Sequence, residues 1–168
     1  MGQDVFDALT INKADGSYQR AEQTFLFSAS SGKVGTGAGY VVTGLDTGMV
    51  TMPPSTGAST FTIPIHGLKV GDVITSFAIN GQMESGGLAN VLDADLRTMT
   101  PATGGSADAS IGAITQISKT ADYLVADSKT GLTHKVLKGN SYYVLVTGTT
   151  LAACDQEILN VTVTVNQR

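Results

Sequence analysis

Cysteine, charge and aromatic rings are all scarce in this sequence of 168 residues. The single cysteine, Cys154, excludes an internal disulfide and a cysteine-based metal cluster. Charged residues make up 14% of the chain, well below the share of about a quarter in an average protein. Tryptophan is absent and aromatics make up 6%. Because sugar-binding surfaces commonly stack sugar rings on flat aromatic side chains, this composition disfavours a lectin-like role.

Long apolar runs and clusters of basic residues are also missing from the sequence. No apolar stretch approaches the roughly 20 residues of a membrane span, and the opening MGQDVFDALT lacks the basic and apolar regions of a secretion signal. The net charge is −4, the pI is about 4.9, and the lysines and arginines are scattered. A nucleic-acid protein draws much of its affinity from neutralised phosphates. We therefore expect neither nucleic acid nor a membrane as the partner.

Hydroxyl groups and glycine supply the polarity that ions do not. The chain has 22 threonines, 13 serines and 20 glycines, and 42% of its residues are hydrophobic. A chain of this length fits one domain and buries roughly 70% of its unfolded surface. This composition is typical of a β-rich shell or surface protein, and neither an export signal nor a disulfide framework accompanies it.

Alternating apolar and polar residues recur along the chain and predict β-strands. Turn signals rich in glycine, proline and asparagine separate them, roughly every 10 to 15 residues, as in a sandwich or barrel. VLDADLRTM is interpreted as a strand, and one tyrosine of the pair Tyr142-Tyr143 is expected in the core. The residues predicted to face inward are Phe61, Ile63 and Ile65; Val73, Thr75, Phe77 and Ile79; Ile111, Ala113, Thr115 and Ile117; and Leu159, Val161, Val163 and Val165.

The first twenty residues differ from the rest of the chain. They carry three of the 14 acidic residues, no dense apolar run, and a turn signal at Asp15-Gly16. We predict an arm or loose hairpin over 1–20 and a β-sandwich domain over 21–168. An ordinary edge strand with a frayed terminus is the alternative.

Residues that could carry chemistry are few and do not form a recognised motif. His66 and His134 lie far apart, without the spacing of a metal site or the elbow of a hydrolase. We predict no catalytic, cofactor or metal site, and both histidines are interpreted as flanking turns. The pairs Asp93/Asp95 and Asp155/Glu157 favour solvated strand faces, and a metal bridging subunits at either pair stays open.

Two similar stretches are predicted to form corners of the fold. HGLKVGDVITSF (66–77) resembles HKVLKGNSYYVLV (134–146), with a gap of one residue between them. In each, a leucine is expected to close the end of the core, and a glycine to supply the positive φ of a tight turn. The predicted corner residues are Leu68, Gly71, Asp72, Leu137, Gly139 and Asn140.

Strand and corner patterns continue over residues 60–168, in TFTIPIHGLKVGDVITSFAINGQMESGG, LDADLRTMT, SADASIGAITQIS, NSYYVLVTGTT and NVTVTV. This part of the chain resembles β-sandwich virion proteins of tailed bacteriophages, and among these the capsid decoration, or cement, proteins. The resemblance implies an all-β, jelly-roll-like antiparallel β-sandwich with an extended N-terminal arm, made in the host cytoplasm and placed on the capsid surface. Such families have no active-site residues to carry over.

The implied function is non-enzymatic stabilisation of the assembled head by bridging capsomers. The major capsid protein is the expected partner, and a homotrimer is the expected oligomer. The alternative is a tail- or fibre-associated module that recognises host glycans or another tail protein. The candidate capsid or subunit contacts are Val5, Phe6, Leu9, Phe25, Leu26 and Phe27, and a buried first strand is the competing interpretation of Phe25 to Phe27.

Overall fold

Two antiparallel β-sheets pack face to face in the computed structural model, which describes residues 9–11, 18–20, 22–35, 39–42, 48–53, 57–152 and 154–167. One short 3-10 helix, Ala29–Ser31, follows the third strand. The strands are β1 Leu9–Ile11, β2 Tyr18–Arg20, β3 Glu22–Ser28, β4 Lys33–Val34, β5 Val41–Val42, β6 Val50–Met52, β7 Ser59–Ile65, β8 Val73–Ser85, β9 Asn90–Ala102, β10 Gly105–Lys119, β11 Tyr123–Lys129, β12 His134–Lys135, β13 Ser141–Thr149 and β14 Cys154–Asn166.

The order of the strands in the sheets is that of a jelly roll. One sheet has the order β10-β9-β13-β7-β4; the other has the order β11-β8-β14-β6-β5, with β12 added to β8 and β3 added to β14. Eight of the described strands have seven or more residues. When these eight strands are numbered one to eight along the chain, their spatial order is 1-8-3-6 in one sheet and 2-7-4-5 in the other. This connectivity confirms the predicted jelly-roll-like β-sandwich.

Alternation of side chains along the strands builds the core between the two sheets. In β7, Phe61, Ile63 and Ile65 are buried as predicted, and the residues between them lie on the outer face. In β13, Tyr142 is buried and Tyr143 faces outward. VLDADLRTM lies within β9, which confirms the strand prediction.

β-Bulges shift this alternation, and four predicted inward positions were wrong for that reason: two in β8, one in β14 and one in β10. In β8 the pairing with β14 skips Thr75, so Ile74 and Phe77 are buried while Val73 and Thr75 are only partly covered. In β14 the pairing skips Leu159, which is exposed, and Ile158 is buried in its place. A bulge inserts one residue without a partner and reverses the alternation beyond it.

Bulges in β10 have the same effect on its apolar residues. Register shifts occur between Ser110 and Gly112 and between Ile114 and Ile117. Ile114 therefore joins Ile111 and Ile117 against the core, whereas Thr115, predicted inward, is exposed.

A buried polar network crosses the core at Gln156. Its side-chain carbonyl accepts a hydrogen bond from the Tyr40 hydroxyl at 3.0 Å, and its amide donates to Asn90 Oδ1 at 2.6 Å and to the Val91 carbonyl at 2.7 Å. Gly148 makes room for this network, because a Cβ there would lie 2.3 Å from both Gln156 Oε1 and the Tyr40 hydroxyl. Burial raises the pKa of Tyr40, so the hydroxyl stays protonated as a donor.

Within the first twenty residues, β1 pairs antiparallel with β2, with Leu9 opposite Arg20 and Ile11 opposite Tyr18. The candidate contacts Val5 and Phe6 lie outside the described residues. The division at residue 20 therefore remains a prediction.

Candidate functional site

The first corner connects β7 to β8 through residues 66–72. Asp72 is buried, and its carboxylate accepts a hydrogen bond from the Lys69 backbone N–H at 3.0 Å, while its own N–H donates to the Lys69 carbonyl at 3.0 Å. Gly71 has a φ of 98°, which confirms the predicted positive φ. Leu68 packs against the core, as expected, and Val70 points outward with 65% of its surface exposed.

The second corner connects β12 to β13 through residues 136–140. Gly139 has a φ of 85°, again as predicted. The Asn140 amide donates to Thr98 Oγ1 at 3.2 Å and to Thr100 Oγ1 at 2.9 Å, which ties the corner to β9. The Leu137 N–H donates to the Tyr142 hydroxyl at 2.9 Å.

Leu137 does not close the core as the sequence predicted. Its side chain is 49% exposed, and Val136 is buried instead. Val136 directly follows β12, in which His134 pairs with Ile74 and Lys135 with Val73. Alternation along this extended segment turns Val136 inward, and the next residue, Leu137, must then face solvent.

Both corners meet at the same end of the sandwich, and backbone hydrogen bonds join them. The Gly71 N–H donates to the Val136 carbonyl at 2.9 Å, and the Val136 N–H donates to the Asp72 carbonyl at 2.8 Å. A cleft of about 410 Å³ lies between the corners; its walls include His66, Val70, Leu137 and Tyr142. We call this end of the sandwich, residues 66–72 and 134–140, the corner end.

The two histidines lie beside this cleft and pack against aromatic rings. The exposed His66 ring meets Phe27 at a centroid distance of 6.5 Å, and the His134 ring meets Tyr142 edge-on at 5.7 Å. Burial lowers the pKa of His134 below its ordinary value. Its Nε2 is buried and has no hydrogen-bond partner among the described residues. Both rings lie next to turns, as predicted.

The candidate contacts on β3 divide between the two faces of the sheet. Phe27 is buried and Phe25 packs against the core, so the competing interpretation of a core strand holds for both rings. Leu26 lies between them, opposite Thr162 of β14, and 66% of its surface is exposed on the outer face. Leu9 lies in β1. Of the three β3 candidates, only Leu26 is therefore open to a partner.

The Asp93/Asp95 pair lies on the outer face of β9, beside an arginine. Arg97 Nη1 contacts Asp95 at 2.5 Å, and Arg97 Nη2 contacts Asp108 of β10 at 3.0 Å. The Tyr143 hydroxyl donates to Asp108 at 2.7 Å. Asp95 and Asp108 thus share one guanidinium. The hydrogen bonds that Asp108 accepts from Arg97 and Tyr143 lower its pKa.

The Asp155/Glu157 pair belongs to a larger acidic group. Asp155 lies directly opposite Glu84 of β8, and one carboxylate oxygen of Asp155 is buried with no hydrogen-bond partner among the described residues. The pKa of Glu84 is raised, chiefly by like-charge repulsion from Asp155. Burial contributes next, followed by repulsion from Asp122 and Glu157. Across the described parts of the chain, no three His, Cys, Asp or Glu side chains are grouped to hold a metal ion.

A second cleft, of about 370 Å³, lies on the outer face of the seven-stranded sheet. Its polar floor is held by two cross-strand hydrogen bonds: Asn80 donates to Asn160 at 2.9 Å, and Gln82 donates to Glu157 at 2.5 Å. Leu124 and Leu159 supply apolar walls, and Leu124 is 76% exposed. The volume falls within the usual range for small-molecule sites. No sequence pattern indicates this cleft, because the bulge that exposes Leu159 leaves no mark in the alternation of apolar and polar residues.

No protein-family model matches the chain, and no curated protein sequence matches it. Several solved structures are similar to the chain, each at low identity and a low TM-score. A family two carbohydrate esterase from Cellvibrio japonicus is 12% identical, with a TM-score of 0.37, over 88% of this chain and 35% of that one. A xylan binding module, CBM86, from Roseburia intestinalis is 13% identical, with a TM-score of 0.36, over 85% of this chain and 94% of that one. A structure of the infectious bursal disease virus Gt strain is 12% identical, with a TM-score of 0.38, over 95% of this chain and 35% of that one.

The chain therefore spans about a third of the length of the esterase and of the viral protein. None of the helices in the described ranges is long and apolar enough to cross a membrane. The fold defines a jelly-roll β-sandwich, and its prominent surface features are clefts and exposed apolar side chains.

Proposed function

We propose that this protein is a non-enzymatic virion structural protein of a tailed bacteriophage, a decoration protein that binds the outside of the assembled head and stabilises it by bridging capsomers. The major capsid protein is its partner. The proposal is supported by the jelly-roll connectivity, by the low charge and hydroxyl-rich composition, and by the resemblance of residues 60–168 to phage virion proteins.

The observation that carries the contact surface is the exposure of Leu26. β3 pairs with β14 on one side, and no described strand pairs with its other side. Leu26 points out of the sheet between polar neighbours, with Thr24 bonded to Thr164 at 3.0 Å. An apolar side chain in the middle of an exposed edge strand suits contact with another protein, because burying it removes apolar surface from water.

Binding to expanded, empty capsids tests the proposal. We expect the purified protein to co-sediment with these capsids and to raise their melting temperature. Leu26→Asp should weaken this binding, because a carboxylate would be buried against the capsid. Leu124→Asp is the matched control: Leu124 is equally apolar and more exposed, but it lies on β11 at the opposite edge of the same sheet.

Equal loss of binding in the two variants would exclude β3 as the contact. Failure of the wild-type protein to bind assembled heads, with binding to purified tails, would exclude the decoration function altogether. Both substitutions change an exposed position, where the effect on stability is typically within about 0.5 kcal/mol. Loss of binding would therefore report on the contact.

The outer-face cleft favours a second candidate, a tail- or fibre-associated module that recognises host glycans or another tail protein. Its apolar walls and amide floor could accept the apolar and hydroxyl-bearing sides of a sugar. Glycan-array binding that Leu159→Asp abolishes and Leu26→Asp leaves unchanged would support this candidate. An array without signal, together with head binding, would exclude glycan recognition.

A further inference from the structure

The two ends of the sandwich carry opposite charge. At the corner end, Lys69, Lys135 and Lys138 are exposed. The corner aspartate Asp72 is buried, with its carboxylate bound to the Lys69 backbone. The corner end therefore presents three exposed ammonium groups, although the chain as a whole carries a net charge of −4.

The opposite end, formed by the β8–β9, β10–β11 and β13–β14 connections, is acidic. Glu84 and Asp155 face each other across β8 and β14, and Asp122 lies beside them, since it accepts a hydrogen bond from the Ser85 N–H at 3.0 Å. We call Glu84, Asp122 and Asp155 with these connections the acidic end. Like charges directly opposite each other on neighbouring strands are unfavourable. A partner that brings positive charge would relieve this repulsion.

Each end also exposes a pair of apolar side chains. At the corner end these are Val70 and Leu137, which both line the cleft. The hydrogen bond from the Gly71 N–H to the Val136 carbonyl joins the two segments that carry them. At the acidic end they are Leu88 and Leu151, both close to Cys154: the Cys154 thiol lies 3.7 Å from the Leu88 carbonyl, and the Cys154 N–H donates to the Leu151 carbonyl. Lys119 also lies at the acidic end, where its ammonium group sits over the Tyr123 ring, but the carboxylates outnumber it. Each end thus combines an apolar pair with an excess of charge of one sign.

β8 fixes the separation of the two ends. It starts at the corner end with Val73 and finishes at the acidic end with Ser85, over 13 residues. At about 3.3 Å per residue the ends lie roughly 40 Å apart. One molecule therefore cannot join its own two ends, and their complementarity can be used only between molecules.

We propose that this protein assembles head to tail with a second copy of itself, the corner end of one molecule docking on the acidic end of the next. Val70 and Leu137 pack on Leu88 and Leu151 of the second copy, and the corner lysines lie against its carboxylates. Such an interface uses different surfaces on the two partners, so it closes into a ring or continues as a chain. A ring of three would give the trimer expected from the sequence. Leu26 and β3 remain free for the proposed capsid contact.

Sedimentation of the purified protein, without capsids, tests this assembly. We expect concentration-dependent association at low salt that weakens as salt rises, since exposed charge pairs are screened. Lys138→Glu should weaken the association. Lys33→Glu is the matched control, because it changes the net charge equally at an exposed position on β4, away from both ends. Association that is equally weakened by both variants would overturn the proposal.

A charge exchange gives the sharper test. Lys69→Glu with Lys138→Glu makes the corner end acidic, and Glu84→Lys with Asp122→Lys makes the acidic end basic; all four positions are exposed. Each double variant alone should remain monomeric, because both of its ends then carry charge of the same sign. An equimolar mixture should associate, because the ends of one variant are acidic and the ends of the other are basic. A monomeric wild type, or a mixture that stays monomeric while circular dichroism shows both variants folded, would overturn the proposal. Neither result would bear on capsid binding, which is measured separately.

Discussion

The two corners of the sandwich have similar sequences, yet different residues fill the core beneath them. Both place a leucine-lysine pair just before a glycine with positive φ, with one residue between in the first corner and none in the second. In the first corner the leucine, Leu68, packs inward. In the second the leucine, Leu137, is exposed and its neighbour Val136 is buried.

The difference comes from the backbone on which each leucine lies. Residues 66–69 are outside any strand, and the Asp72 bonds to Lys69 fold them into a turn that directs Leu68 onto the core. Val136 follows a strand paired with β8, so strict alternation decides its direction. The residue type therefore mattered less than whether the segment was a turn or an extended strand.

Val136→Asp is the strongest way to break the second corner. It would place a carboxylate in the core and should cost about 4 kcal/mol or more, a large fraction of the stability of a typical domain. A loss of that size can leave the variant unfolded, so Val136→Ala measures the same site, with an expected loss of roughly 2 kcal/mol from the removed methyl groups and the cavity left behind. Urea unfolding gives both values.

Leu137→Ala is the control for this prediction. At an exposed position it should change the free energy of unfolding by less than about 0.5 kcal/mol. A larger loss at Leu137 than at Val136 would mean that the leucine, and not the valine, supports the corner.

Leu68→Asp probes the first corner. Leu68 is only partly buried, so the carboxylate of the introduced aspartate would keep some contact with water. We expect the free energy of unfolding to fall by about 2 kcal/mol. His66→Ala, two residues earlier and exposed, should cost less than about 0.5 kcal/mol. Thermal unfolding of the two variants decides between an architectural corner and a loop built around the histidine: a greater loss for His66→Ala would favour the loop.

Gly71→Ala and Gly139→Ala test what the corners share. At both positions φ is strongly positive, and a Cβ would meet no atom within 4 Å. The cost is therefore conformational alone, about 1 kcal/mol at each corner. Urea unfolding should give similar values for the two variants, and a clear difference would show that the corners are not equivalent turns.

Sequence reasoning succeeded where a strand is regular and failed where the register changes. Phe61, Ile63 and Ile65 follow simple alternation, and so do Val161, Val163 and Val165. The bulges that skip Thr75 and Leu159 depend on pairing with a distant strand, so no local pattern reveals them. The acidic end was seen only as the pair Asp155/Glu157, because Glu84 and Asp122 reach it from other connections. The sequence indicated two similar corner stretches, but the order of the strands in the two sheets is what brings both corners to the same end of the sandwich.

His134 offers the smallest and most specific distinction between the corners. Burial lowers its pKa below the ordinary value of 6.5, so the folded protein takes up this proton less readily than the unfolded chain. The stability of the fold should therefore fall as the pH drops below about 6.5 and should be unaffected by this group above it. His134→Gln removes the titrating group while the carboxylates titrate alike in both proteins. Between pH 7.5 and 5.5 we expect the melting temperature of the wild type to fall by about 1 °C more than that of the variant. Parallel curves would show that the buried Nε2 atom of His134 accepts a proton in the folded state without cost.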